Sequence, residues 1–154
     1  MRTREHFRQA VYQTPFHSRT SAANTLNLWH RWKDYTVADA YADVALEYAA
    51  VRNACTVFEL TPMTKHRISG GDALAYMNRL VTREVAKIKE GRVGYCVWCD
   101  DEGQVIDDGT IFHLRAGLYR LCSQERQLDW LLTSAAGFDV TIVEETDEVA
   151  SLAL

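Results

Sequence analysis

Three apolar runs joined by short turns constrain the fold of this chain more than any other feature. Val93 to Cys99 has strand propensity, Asp100-Asp101-Glu102-Gly103 is typical of a hairpin turn, and Val105 to Leu114 is the returning strand. A second turn at Ala116-Gly117 leads into a third strand, Tyr119 to Cys122. Strands joined by such short hairpins lie antiparallel. The run therefore predicts an antiparallel meander.

Helices are predicted on both sides of this meander. The alanine-rich stretch from Val37 to Ala54 has Val44, Tyr48 and Val51 at spacings of four and three, which predicts a core helix. Asp72 is placed to cap the next helix. The remaining predictions are helices at Asp72–Thr82 and Leu128–Gly137 and strands at Thr56–Leu60, Lys65–Ile68 and Val140–Val143. Together the pattern predicts the α+β class, with a mainly antiparallel sheet and packed helices.

The chain is expected to consist of an arm and one domain. Residues 1–36 are aromatic and polar without a clear period, which predicts an irregular N-terminal arm, and residues 37–154 form the domain. The aromatic residues Trp29, Trp32 and Tyr35 either pack this arm onto the domain or contact a flat ligand. The chain stops in an apolar stretch, so we expect it to be part of a longer protein.

Composition excludes several classes of function. The 154 residues carry a net charge of -4 with both signs interspersed, which argues against nucleic acid as a partner. No run reaches the roughly eighteen apolar residues of a membrane span, so we expect a cytoplasmic protein without a membrane partner. Cys96 and Cys99 have the spacing of a metal or redox pair, but no second pair accompanies them. We predict ordinary reduced cysteines and no metal site.

Two adjacent carboxylates, Asp107 and Asp108, lie inside the apolar second strand of the meander. Neighbouring residues on a strand point to opposite faces, so one carboxylate is expected to face the core or a pocket and the other to face water. A buried carboxylate needs a cationic or hydrogen-bonding partner. The pair is either a functional group or the solvated start of a strand.

Five segments of the chain match, in order and spacing, motifs of a known enzyme family. They are Phe58–Met63, Gly70–Leu74, Leu80–Val85, Gly91–Tyr95 and Asp101–Asp108. The first corresponds to the family pattern Phe-Asp-x-Ser-His-Met and the last to Asn-Glu-x-Gly-Gly-Ile-x-Asp-Asp. Over about residues 37 to 154, the chain therefore resembles the folate-binding N-terminal region of the glycine-cleavage T-protein, or aminomethyltransferase, family.

The resemblance implies a catalytic residue and a cofactor. It implies a transferase that moves a one-carbon unit from a small amine, sulfonium or methoxy donor to tetrahydrofolate, with Asp108 as the catalytic carboxylate that also contacts the folate. By the same resemblance, Met63, Tyr95, Thr110 and Phe112 line the folate pocket. Asp108, Thr110 and Phe112 also alternate as one face of a strand requires. We expect residues 1–154 alone to be inactive, because the pocket would be open on one side.

The chain departs from the family at two places, which leaves other functions open. Thr61-Pro62 stands where the family has Ser-His, and Cys122–Glu125 replaces an Asn-rich segment. A demethylase is therefore a candidate, as is a non-catalytic folate-binding accessory protein linked to iron–sulfur maintenance. A third alternative is an interaction domain without folate. The expected partner is a small-molecule donor, and a carrier protein or a second copy of the chain stays open.

Overall fold

A computed structural model describes residues 12–154. This part of the chain forms ten β-strands, four α-helices and two single-turn 3-10 helices, Val85–Lys87 and Thr146–Glu148. In chain order the strands and α-helices are β1 (Tyr12–Gln13), α1 (His17–Ala23), β2 (Leu28–Trp32), β3 (Tyr35–Ala40), α2 (Val44–Asn53), β4 (Phe58–Glu59), β5 (Thr64–Ser69), α3 (Ala73–Leu80), β6 (Val93–Cys99), β7 (Val105–Arg115), β8 (Leu118–Ser123), α4 (Leu128–Ser134), β9 (Thr141–Glu144) and β10 (Leu152–Ala153). The predicted α+β class is confirmed.

The chain divides into two compact units. Unit 1 contains the residues up to Pro62 together with Ala150–Leu154, and unit 2 contains Met63–Val149. That residues 37–154 form a folate-binding domain, with residues 1–36 as a separate arm, stays a prediction. The longest helix that residues 12–154 form has only ten residues, and none of their helices is long and apolar enough to cross a membrane.

Unit 1 contains two small sheets. In the first, β3 lies between β1 and β2, parallel to β1 and antiparallel to β2. In the second, β4 pairs antiparallel with β10. The irregular arm predicted for residues 1–36 is therefore wrong for residues 12–36, which form two strands, a helix and the start of β3. Their apolar residues lack a long period because each element is short, so periodicity could not reveal them.

The helix predicted from Val37 is shorter and less buried than expected. Residues up to Ala40 belong to β3, and α2 begins after Asp43, whose Oδ1 accepts a hydrogen bond from the Leu46 backbone N–H at 2.9 Å. The expectation of a core helix is wrong, because no residue of α2 is buried and Val44 and Tyr48 are 64% and 63% exposed. The apolar face instead lines a groove of unit 1.

Unit 2 is built on a five-stranded sheet in the order β6-β7-β8-β5-β9, with every neighbouring pair antiparallel. The predicted meander is confirmed, since β6, β7 and β8 are consecutive neighbours. The β6–β7 register shifts between Trp98 and Cys99, which pair with Asp107 and Val105 and leave Ile106 as an extra residue on β7. From Asp107 to His113 the alternation of the two faces is regular.

One face of this sheet forms the core of unit 2. The strands contribute buried side chains that include Ile68, Trp98 and Ile111, and α3 covers them with Tyr76 and Met77. The buried hydroxyl of Tyr76 donates a hydrogen bond to the Leu131 carbonyl at 2.9 Å, which satisfies the one polar group of this ring.

Two predicted helix signals have different roles in the structure. Asp72 does precede α3, but its side chain does not cap that helix; its Oδ2 accepts the backbone N–H of Asp139 at 2.9 Å. The third predicted helix ends at Ser134 rather than at Gly137, which follows it with a φ of +88°. Asp72 binds the backbone of Asp139 instead of its own helix, and Gly137 forms a turn that follows the helix instead of ending it.

Candidate functional site

The two adjacent carboxylates point to opposite faces of β7, as strand alternation predicts. Asp107 is buried and shares its face with Gly109 and Ile111, whereas Asp108 is exposed and shares the opposite face with Thr110. Because the register from Asp107 to His113 is regular, the two carboxylates cannot exchange sides without a slip of the whole strand. They therefore have separate roles.

Asp107 holds backbone in place. Its Oδ1 accepts the N–H of Asp108 at 2.8 Å, and its Oδ2 accepts the N–H of Glu125 at 3.2 Å, in the segment after β8. Two N–H donors compensate the burial of this carboxylate, as a buried acidic group requires. Asp107 thus links β7 to the segment after β8, and each of its oxygens already accepts a hydrogen bond.

Asp108 is held from the open side of the sheet by Tyr95. The Tyr95 hydroxyl donates a hydrogen bond to Oδ2 of Asp108 at 2.8 Å. Tyr95 lies opposite Thr110, so the contact is a diagonal one between β6 and β7, within reach of a long side chain. The hydrogen bond to Asp108 raises the pKa of Tyr95 above its usual value, and Tyr95 remains a protonated donor at neutral pH.

The other sequence-predicted site residues lie at different distances from this pair. Thr110 and Phe112 follow Asp108 on the same face, opposite Tyr95 and Val93 of the neighbouring strand. Met63 precedes β5, which is two strands away from β7. Since Thr64 pairs with Ser123 and Ser123 with Gly109, Met63 is level with Asp108 but roughly 10 Å from it across the sheet. The fold thus places Tyr95 beside Asp108, while Thr110, Met63 and Phe112 lie roughly 7, 10 and 13 Å from it.

A charged cluster on the neighbouring strands was missed by the sequence reasoning. Arg120 of β8 donates a hydrogen bond through Nε to Oε1 of Glu145, and the Nε of Arg67 lies 3.9 Å from Oε2 of the same carboxylate. Arg120 pairs with Phe112 on one side and with Arg67 on the other, so both guanidinium groups start from the face that carries Asp108. The sequence did contain one signal for it: Lys65 and Arg67 are two apart in a predicted strand, which places two cationic side chains on the same face.

Lys65 is buried at the β5 end of the same face. Its Nζ donates a hydrogen bond to the Met63 carbonyl at 2.9 Å. Burial lowers the pKa of this amine below its usual value, and the thiol of Cys122, its pairing neighbour on β8, opposes that shift. Burial also raises the pKa of Cys122, while the positive charges of Lys65 and Arg120, and then a hydrogen bond with the Thr110 hydroxyl, partly offset the increase.

The pair Cys96 and Cys99 and the cleft beside α4 do not add further groups to this site. All four cysteines are free thiols, and Cys96 faces the core while Cys99 is on the opposite face of β6. Within residues 12–154 no three His, Cys, Asp or Glu side chains are arranged to hold a metal ion. A cleft of about 310 Å³ beside α4 is lined by Arg79 and Trp130, among others, and by none of the predicted site residues.

Comparison with known proteins shows what this chain is similar to. Residues 16–154 match the family model described as the GCVT N-terminal domain. An aminomethyltransferase of Lysinibacillus sphaericus is 32% identical over 118 residues, which cover 74% of this chain and 32% of the relative. An aminomethyltransferase of Deinococcus deserti is 32% identical over 149 residues, which cover 94% of this chain and 41% of the relative.

The fold is also found in a solved structure. The crystal structure of the glycine cleavage system aminomethyltransferase T from Bartonella henselae superposes with a TM-score of 0.76 at 17% identity, covering 87% of this chain and 38% of that one. At this identity the likeness is one of fold. The chain thus spans 32% to 41% of the length of these relatives.

Proposed function

Since this chain belongs to the GCVT N-terminal domain family, we propose that it takes part in tetrahydrofolate-dependent one-carbon transfer, with Asp108 as the catalytic carboxylate. The observation that carries the proposal is the hydrogen bond of 2.8 Å between the Tyr95 hydroxyl and Asp108 on an exposed face of the unit 2 sheet. The hydrogen bond holds the carboxylate in one orientation on a face that a ligand can reach.

The residues of this face suit a planar ligand with N–H groups. Oδ2 of Asp108 receives the Tyr95 hydroxyl, while Oδ1 has no hydrogen-bond partner among residues 12–154 and can accept one from a ligand. The ring of Tyr95 lies beside Asp108, and farther along the same face Thr110 adds a hydroxyl and Phe112 a second aromatic ring. One fixed acceptor beside aromatic surface is the combination that orients a heterocycle such as the pterin ring.

The chemistry follows from what a positioned carboxylate does. When bound, tetrahydrofolate supplies the nitrogen that receives the one-carbon unit. Asp108 accepts the proton released at that nitrogen, or stabilises the positive charge that develops there during transfer. Tyr95 keeps the carboxylate in one orientation by donating to the oxygen that the ligand does not use. The protonated state of Tyr95 is favoured by the same hydrogen bond.

The donor is proposed as a small amine, sulfonium or methoxy compound. Thr61-Pro62 stands in place of the family's Ser-His, and this difference is the reason to test donors other than the glycine-derived one. We also propose that residues 1–154 alone do not turn over a donor, because they span less than half of the length of the relatives.

Calorimetric titration with tetrahydrofolate tests the role of Asp108. We expect Asp108→Asn to weaken binding by roughly tenfold or more, because a hydrogen bond to a charged group contributes about 1.5–3 kcal/mol. Asp101→Asn is the matched control, since Asp101 is an exposed carboxylate in the turn of the same hairpin. Equal affinities for the two variants would contradict the proposal. Binding that depends on Asp108, with no transfer from any donor by a longer chain, would favour the accessory role.

A further inference from the structure

A groove in unit 1 has features of a ligand site that the proposed chemistry does not use. This groove, which we call the α2 groove, has a volume of about 540 Å³ and lies between α2, the β2–β3 hairpin and residues 56–59. Its size is within the range of roughly 300–1,000 Å³ typical of small-molecule sites. Aromatic residues line it together with small apolar ones; the aromatic residues are Trp32, Tyr41, Tyr48 and Phe58.

Two buried polar atoms on residues of the α2 groove lack hydrogen-bond partners. They are Oε1 of Glu59 and the indole Nε1 of Trp32, each with almost no solvent-accessible surface and without a partner among residues 12–154. Burying a polar atom without a partner costs free energy, and doing so with a carboxylate oxygen costs more than with a neutral group. A cation in the groove would offset the negative charge of Glu59, whereas the indole N–H of Trp32 is a donor that a cation does not satisfy.

The groove has negative charge that the chain compensates only in part. Asp39 has His30 at 3.3 Å, and Glu47 accepts the backbone N–H groups of Tyr41 and Ala42 at 2.9 Å. Glu59 makes no ion pair with a lysine or arginine of residues 12–154. Burial raises the pKa of Tyr41, and the negative charges of Glu59 and Glu47 raise it further, which indicates that both carboxylates lie near its hydroxyl.

These features favour one class of ligand. Ca²⁺ and Mg²⁺ require several oxygen ligands, which an aromatic and aliphatic wall does not provide. A neutral apolar molecule would leave Glu59 without a counter-charge. An organic cation with alkyl groups fits both the carboxylate and the aromatic rings, because such rings attract cations through their faces. Tyr48 already makes this type of contact with Arg52, whose guanidinium carbon lies 5.7 Å from the ring centroid.

We propose that the α2 groove binds an alkylammonium ion, with Glu59 as its counter-ion and Trp32, Tyr41 and Phe58 as its aromatic wall. Binding of this ion does not depend on the proposed folate chemistry. A basic peptide is the competing occupant. The volume of the groove and the unpartnered Oε1 of Glu59 favour the small molecule.

Two-dimensional ¹H–¹⁵N NMR of the indole N–H groups tests this site without folate. The protein is titrated with tetramethylammonium chloride, with sodium chloride added to hold the ionic strength constant. Neopentyl alcohol is the neutral probe of similar shape. Trp32→Phe identifies the Trp32 peak, and the Trp98 peak serves as the internal control because that ring is in the core of unit 2.

We expect the Trp32 peak to shift saturably with tetramethylammonium and to shift much less with the alcohol. Glu59→Gln should weaken the affinity by roughly tenfold, because it removes the nearest uncompensated charge. Glu148→Gln, a substitution of an exposed carboxylate in unit 2, should leave the affinity unchanged. Phe58→Leu provides a second test at an exposed position, with an expected loss of about threefold.

Three results would overturn the proposal. The first is the absence of a saturable shift of the Trp32 peak, and the second is equal binding of the cation and the alcohol. The third is an affinity that neither Glu59→Gln nor Phe58→Leu reduces. A shift of the Trp32 peak by a lysine- and leucine-rich peptide, without one by tetramethylammonium, would identify the groove as a peptide site and would also reject the alkylammonium ion.

Discussion

Gly109 sets the distance between β7 and β8 immediately beside Asp108. A Cβ atom at this position would lie 2.0 Å from the Cys122 carbonyl oxygen and 3.1 Å from the Cys122 carbonyl carbon. Since Cβ atoms essentially never approach other atoms within 3.0 Å, Gly109→Ala forces the two strands apart by about 1 Å. The obstacle is backbone within a hydrogen-bonded ladder and cannot rotate away.

We expect Gly109→Ala to lower the free energy of unfolding by about 3–4 kcal/mol. Overpacking costs roughly 1–3 kcal/mol, and each weakened ladder hydrogen bond adds about 1 kcal/mol. Gly94→Ala on β6 is the matched control: its Cβ would meet Ile88 Cδ1 at 2.6 Å and Arg83 Nη1 at 2.9 Å, both ends of flexible side chains. That substitution should cost less than about 2 kcal/mol.

Urea unfolding followed by tryptophan fluorescence measures both variants against the unsubstituted chain. Equal slopes with different midpoints would show that the substitutions change stability rather than the surface exposed on unfolding. If Gly109→Ala were no less stable than Gly94→Ala, the close approach of β7 and β8 would not be the constraint that we infer from the 2.0 Å contact.

Two further predictions follow from thiol and phenol chemistry. A thiol reagent at neutral pH should modify the exposed Cys55 first and should reach Cys96 and Cys122 only on unfolding. Both of these thiols are buried, and burial raises the pKa of Cys96 to about 12 and also raises that of Cys122. Rapid labelling of all three thiols in the folded protein would contradict this burial. Asp108→Asn should lower the pKa of Tyr95, since the hydrogen bond to the carboxylate raises it. Phenolate absorbance should therefore appear at lower pH in the variant, and unchanged titration curves would argue against the contact.

The sheet of unit 2 was predictable because its signals are local. Alternating apolar residues and the turn at Asp100–Gly103 define β6 and β7 from sequence neighbours alone. The same alternation separates the faces of Asp107 and Asp108, and the burial of Asp107 agrees with it. The partner of Asp107, the backbone of Glu125, lies 18 residues away and has no sequence signal.

Long-range pairing explains what the sequence did not reveal. Arg67 and Arg120 are 53 positions apart in the chain and lie next to each other only because β5 pairs with β8. The position of Glu145 beside them depends on the turn after β9. The alternation within a strand predicts which of its residues share a face, but which other strands lie beside that face depends on the topology of the sheet.

The helix α2 shows a limit of periodicity. Val44, Tyr48 and Val51 do lie on one side of a helix, but periodicity gives no information about what covers that side. In unit 1 the side is exposed and contributes to the α2 groove. Apolar spacing therefore predicted a helix here correctly, but its start at Val37 and its assignment to the core were wrong.

The extra residue Ile106 on β7 has a consequence for how this hairpin tolerates changes in length. It lies between the turn at Asp100–Gly103 and the two carboxylates, where the pairing of β6 and β7 is already irregular. In a regular hairpin, one residue gained or lost at the tip would turn Asp107 and Asp108 to the opposite faces of the sheet. Here the irregular pairing at Ile106 can absorb that change. Evolution or loop grafting can therefore reshape the tip of the hairpin while Asp107 and Asp108 keep their sides of the sheet.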